Sequence, residues 1–356
     1  MKRKLFAVFA LLSLVIISGC ATTLNTVATT TTTTTTQSET TTSQSTTAST
    51  TGTTTLPSSS EDTDTTTEEV ISYTITYLNC GNQLPGQIIE TNEVAIADLL
   101  TPTDAVYDFV GWAYHFADYG IIEEATIVIN GDIALYAVWN FDINNATDLL
   151  SVANRTSAES FYSDDSYKLV RHLTLQSDID LGGAEWTPVQ NDGLFNGNNH
   201  FVSNFMISDE SSNNGFFSIN NGTISNFTIK DFSIDLDIVS SAGGQITVGA
   251  MAGTNNGLMD NSVAIGSIAC DYSTLGGSLG GLTGNNYGVI NNCAATVSIS
   301  GATTQYLTIG GIAGYNKSYG MIMNTCSYSS IDYDTGSVSF SMGGIAGFNC
   351  EDALIN

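Results

Sequence analysis

The chain of 356 residues carries 35 acidic against 8 basic side chains, a formal charge of −27, and only 12% of it is charged. Three of the basic residues are Lys2, Arg3 and Lys4, so everything beyond them carries −30; such a surface repels nucleic acid and anionic lipid headgroups and excludes both as partners. Gly is frequent (34) and Pro rare (4), which favours many short strands and tight turns over a helical protein.

The N-terminus reads "MKRKLFAVFALLSLVIISGC". A basic start precedes an apolar run from Leu5 to Ile17, shorter than the ~20 residues a membrane-spanning helix needs. Its flanks are those of a secretory signal, residues 1–20. The ending "ISGC" resembles the bacterial lipobox, in which small residues precede a Cys that is lipidated and becomes the first residue of the mature protein. That resemblance makes Cys20 the lipidation site, the membrane the partner it holds, and the outer face of the bacterial cell membrane the location. Two or three acyl chains would suffice for stable anchoring. Residues 21–69, rich in Thr and Ser, offer almost nothing apolar to bury and read as a disordered tether. A coil of that length spans roughly 35–40 Å.

At Ser72 the texture changes. "YTITYLNCGN" alternates Tyr73, Ile75 and Tyr77 with Thr74 and Thr76, the pattern of a half-buried strand running into a turn. "YDFVGWAY" and "GDIALYAVW" follow. With Pro102 before Tyr107, then Phe109, Gly111 and Trp112, then Leu135, Tyr136, Ala137 and Trp139, residues 70–141 resemble the internalin-B-type B repeat (Listeria–Bacteroides repeat). Cys80 departs from that pattern where a turn glycine is usual, and Val106 replaces the Gly before Tyr107. The resemblance implies a small β-grasp-like adhesion or spacer module. On the residues alone, the aromatics are the core of a domain too small to rest on aliphatics; an exposed, sugar-stacking Trp112 is the alternative.

Residues 142–192 hold "NNATDLLSVAN", whose Leu149, Leu150 and Val152 suit one or two helical turns and an N-terminal cap, and then an opening coil. From residue 193 the text becomes periodic. Gly215, Gly249, Gly280, Gly310 and Gly343 recur at intervals of 30 to 34 residues. Each unit suggests about three short strands and three turns, the signature of a β-solenoid. The expected fold is all-β: a right-handed parallel β-helix over 193–356 whose equivalent residues stack at ~4.8 Å. Leu282, Ile312 and Ile345 then form one inward ladder and Ile290 and Ile322 another. Asn286, Asn316 and Asn349 form a ladder of stacked amides, and Cys293 and Cys326 stack in adjacent units.

These units, "GGLTG" (Gly280 to Gly284) and "GGIAG" (Gly310 to Gly314 and Gly343 to Gly347), resemble the GLUG repeat. "LQSDIDLGGAEWTPV" and "FNGNNHFVSNFMI" resemble what precedes such repeats. The resemblance implies a bacterial surface protein; GLUG repeats also occur at the N-termini of immunoglobulin A1 protease-type zinc peptidases. The zinc signature of two His one helical turn apart does not occur: His115, His172 and His200 are scattered.

No cofactor, metal site or catalytic residue is expected. Cys80, Cys270, Cys293, Cys326 and Cys350 are an odd set; buried thiols or a cross-rung disulfide at Cys293 and Cys326 are the readings left open. Asp178/Asp180, Asp235/Asp237 and Asp332/Asp334 each point to one side of a strand and could hold Ca²⁺ or act as acid and base, but they fall at non-equivalent offsets. The functional expectation is a non-catalytic adhesin-like binding or spacer module for a host or cell-wall glycan or protein. The alternatives are a polysaccharide lyase or hydrolase on a β-helix, or the N-terminal scaffold of a truncated surface peptidase. The last unit, "GGIAGFNCEDALIN", breaks off halfway round a coil. Either a longer protein continues it or end-to-end self-association covers it.

Overall fold

The computed structural model describes residues 71–356 apart from 80–81, 106, 116–119, 154–169, 209–210, 239–244, 273–275, 335 and 337–338. The leader with Cys20, the Thr-rich segment, Cys80 and Val106 lie outside the described residues.

The alternating stretch at the start of the module forms the strand Tyr73–Asn79, with Ile75 and Tyr77 buried. It pairs antiparallel with Gln87–Ile89 and parallel with the long strand Ile133–Ile143. The far edge of that long strand pairs antiparallel with Asp108–Ala113. Two central parallel strands flanked by antiparallel ones give the β-grasp-like arrangement; among the described residues a 3-10 turn, Ile96–Asp98, stands where a helix could cross. Trp112 is 3% exposed, packs against Tyr77 with ring centroids 4.7 Å apart, and donates its indole N–H to the Leu100 carbonyl at 3.0 Å. It is core, not a surface platform.

Ile133–Ile143 does not stop at the module. Its first half pairs with Tyr73–Asn79 and its second half, on the same edge, pairs parallel with Val170–Leu175, the first strand of the coils. One side of it carries Leu135, Ala137 and Trp139 into the module core, then Phe141 and Ile143 into the solenoid core. The boundary expected at residue 141 falls inside this strand. The helix Ala146–Ala153 packs beside it; the Asn145 side chain accepts from the Thr147 and Asp148 amides, and Leu149 inserts into the solenoid core.

The coils form a parallel β-helix of about six turns. A full coil has four strands, for example Ile246–Gly249, Ala252–Asn255, Leu258–Asp260 and Val263–Tyr272, and each pairs parallel with its counterparts above and below. The sequence suggested three because the Gly-rich segment reads as one strand. It is instead a sharp corner that dives into the interior. At that corner Leu282 is fully buried, and a Cβ on Gly281 would lie 3.0 Å from the Ala295 Cβ on the opposite wall. The strands on either side of the corner therefore pack with their outer sides against each other. Thr247, Ser278 and Thr308 point away from the core yet are buried, and the Thr247 hydroxyl lies 3.4 Å from that of Thr254 across this groove.

The expected inward ladders are in place in most rungs. Leu282 and Ile312 are fully buried; Ile345, in the last coil, is half-buried. Ile290 pairs in register with Ile322, and both are buried. In the first coils the interior is aromatic: Trp186 stacks on Phe216 at 4.5 Å, and Phe195, Phe205, Phe217 and Phe227 pack around them. Along the register Phe195 gives way to Ile224 and Met259, Phe217 to Ala252 and Phe232 to Gly266.

Candidate functional site

The amide ladder is the most ordered polar feature of the coils, and it is longer than the three residues expected. Six asparagines, Asn191, Asn220, Asn255, Asn286, Asn316 and Asn349, form the column, and each of the first five passes a side-chain N–H to the next Oδ1 at 2.7 to 2.8 Å. The second N–H of each serves backbone carbonyls; Asn286 reaches Gly288 at 3.2 Å and Met321 at 3.4 Å. Asn220, Asn255, Asn286 and Asn316 are wholly inaccessible and Asn349 is exposed. Full pairing is what allows a polar column inside an apolar core. The signal for the first three members was present in "QND", "INNG" and "TNNG", but there no Gly-Gly-x-x-Gly motif precedes the asparagine at the usual distance.

A second asparagine column was missed. Asn226, Asn261, Asn292 and Asn324 occupy the left-handed backbone region, with φ between 47° and 52°, at the same corner of successive coils. Asn tolerates that region better than other residues bearing a side chain.

Two expectations need correction. Cys293 and Cys326 do not stack. Ile290 pairs with Ile322 and Ala294 with Cys326, so Cys293 lies over Thr325. One extra residue separates the ladder Ile from the Cys in the later coil. Cys293 faces the core, where burial pushes its thiol up to about 12, while Cys326 is half-buried. Among the described residues, Cys270, Cys293, Cys326 and Cys350 form no disulfide. The carboxylate pairs also differ from expectation. Asp235 and Asp332 share one outward column and Asp237, Asp271 and Asp334 another, because the longer turn after Asn316 displaces the count from the repeat glycine. Asp178 and Asp180 belong elsewhere and hold local structure. Asp178 accepts from the Phe201 amide and lies 3.0 Å from His200, while Asp180 accepts from the Gly182 amide and the Asn204 side chain, bonds that lower its pKa. Among the described residues no three His, Cys, Asp or Glu side chains converge as metal ligands, and no helix is long and apolar enough to cross a membrane.

The outer residues flanking the amide ladder form a third pattern. Each ladder Asn closes its strand, so the residue before it alternates away from the core and the residue after it begins the turn. In the early rungs these flanks are small, aliphatic or polar: Ile219 and Asn221, then Thr254 and Asn256. In the last three rungs they become Asn285 and Tyr287, Tyr315 and Lys317, and Phe348 and Cys350. The Lys317 ammonium lies 3.5 Å over the Tyr315 ring and 5.9 Å from that of Tyr287, and burial lowers its pKa. Phe348 meets Tyr315 edge-on at 5.0 Å, and the Cys350 thiol lies 3.4 Å from the Tyr315 hydroxyl. Tyr287 is 46% exposed, whereas Asn285 is only 8% exposed and its Oδ1 has no hydrogen-bond partner.

No protein-family model and no curated protein matches the chain. A crystal structure of a provisionally assigned immunoglobulin A1 protease from Bacteroides ovatus matches at 19% identity over 61% of this chain and 84% of that one. The TM-score is 0.27.

Proposed function

We propose that the chain is a lipid-anchored bacterial surface protein that displays a non-catalytic binding or spacing module. In this reading Cys20 carries the lipid and residues 21–69 are the tether. A B-repeat-type module and GLUG-type coils present the outer surface to a host or cell-wall glycan or protein. The observation that carries it is the division of labour in the coils. Inward positions are committed to stacking, and the carboxylate pair at the opening coil is committed to local hydrogen bonds. One outward surface changes from small side chains to aromatic ones over successive rungs, and exposed aromatics beside polar groups are what a binding surface uses.

Two measurements test it. The wild-type protein is expected to partition into detergent, and Cys20→Ala to be released or left unprocessed; an acylated, normally processed variant would sink the anchor. Incubation of the full chain with a panel of polysaccharides is expected to release no reducing ends. Their appearance would show a carbohydrate-cleaving enzyme on the same fold.

A further inference from the structure

We infer that the small module is the N-terminal cap of the β-helix, so that the module and the first coils open and close as one unit. The inference stands whether or not the coils bind anything.

The first rung of a β-helix has strand edges without partners and an apolar interior open to water. Solenoids therefore need a terminal unit that supplies both a strand and a lid. Here the strand comes from the module. Ile133–Ile143 lies in one sheet that runs from Asn82–Gln83 to Leu354–Ile355, and its last residues, Trp139 to Ile143, take the place of a rung beside Val170–Leu175. At Trp139 and Asn140 this strand is held on both edges at once. Phe109 and Asp108 of the module pair on one side, Val170 and His172 of the first coil on the other. The Thr174 hydroxyl also donates to the Asn140 Oδ1, and the Gln176 amide to the Ile143 carbonyl, each at 2.9 Å.

The lid follows directly. Ala146–Ala153 begins three residues after the strand, and its Leu149, 1% exposed, joins Ile143 and Leu175 in the solenoid core. The Ser177 hydroxyl donates to the Asn144 carbonyl at 2.5 Å and ties the turn between strand and helix to the first coil. The two cores also touch. Tyr107 packs on the module core and Phe141 on the solenoid core, with ring centroids 5.8 Å apart. Separate domains meet at a linker that few contacts cross. This boundary is crossed by backbone pairing, by side-chain hydrogen bonds and by a ring pair. Opening the module alone would strip one edge from Trp139 and Asn140 and expose the wholly buried Trp139 ring.

Native-state hydrogen exchange of the full chain in rising urea tests the cap. In wild type, the amides of Tyr73–Asn79, Asp108–Ala113 and Val170–Leu175 are expected to converge on one opening free energy. Isotherms that stay apart overturn the inference. Two variants then probe the shared strand from either side, because coupling between sites is reciprocal. Trp112→Ala, in the module core, should speed exchange in Val170–Leu175 about tenfold or more, and Leu149→Ala, in the lid, should do the same in Asp108–Ala113. Gly131→Ala, where a Cβ meets nothing within 4 Å, should leave both at wild-type rates. If Trp112→Ala does not fold, Trp112→Phe keeps a ring and is read in the same way. A Trp112 variant that loosens Tyr73–Asn79 and Asp108–Ala113 while Val170–Leu175 exchanges as in wild type would show an independent domain and overturn the cap.

Discussion

Asn286→Leu is expected to destabilise the coils by about 2–5 kcal/mol, while Asn349→Leu costs under about 1 kcal/mol. The two side chains are alike in sequence and differ in place. Asn286 accepts from Asn255 and donates to Asn316, each at 2.8 Å, and serves two backbone carbonyls. Leu has nearly the same shape, so no cavity opens. What is lost is the partner of the Asn316 Oδ1 and of the Gly288 carbonyl, in a site with no access to water. Each buried group left unpaired costs about 1–3 kcal/mol. Asn349 is exposed, so water replaces its bonds. Urea unfolding of the two variants beside wild type measures the contrast. Equal losses would mean that the column is not acting as a buried network.

Gly280→Ala should be at least as damaging, by about 3 kcal/mol or more. A Cβ at this corner would collide with the Thr283 carbonyl of its own coil and stand 2.7 Å from both the Gly314 nitrogen and the Ile312 carbonyl of the next. All three are backbone atoms: Thr283 and Gly314 lie in paired strands and the Ile312 carbonyl accepts from the Leu282 and Thr283 amides, so none can yield without moving a rung. Gly131→Ala is the control, because a Cβ there meets nothing within 4 Å; its melting temperature should stay near that of wild type. A Gly280→Ala protein that melts like the control would show that the corner is softer than its packing implies.

The repeat was legible because a residue that fits one rung fits the next. Leu282 and Ile312, or Ile290 and Ile322, could be aligned by eye, and the structure places each pair in neighbouring coils. Features that depend on the lengths between repeats were not legible. The pairing of Cys326 with Ala294, and of Asp332 with Asp235 through Ala269 and Ser300, turns on one or two residues gained in a turn. A count from the nearest glycine cannot see them. The fourth strand was hidden because the Gly-Gly-x-x-Gly corner turns inward, where glycine-rich text resembles a strand as much as a turn. The outward aromatics were overlooked for the opposite reason. Outward positions do not repeat, so a search for repetition passes over Tyr287, Tyr315 and Lys317.

The strand shared by module and coils also decides how the molecule carries force. Tyr73–Asn79 runs parallel to Ile133–Ile143. The end where the chain enters the first and the end where it leaves the second thus lie at opposite ends of the pair. Tension between Ser72 and the coils slides the two strands along each other and strains the contacts from Ile75 with Ile133 to Leu78 with Tyr136 together. The antiparallel neighbour behaves otherwise. Tyr73 faces Ile89, so pulling on those two residues opens one hydrogen bond at a time, as a zipper does. Rupture under load is set by the unfolding barrier. Single-molecule stretching from residue 72 to residue 143 should therefore need a higher force than stretching from 72 to 89. Equal forces would count against this shear geometry. If the proposed anchor holds the N-terminal end and load enters through the coils, flow pulls along this shear geometry.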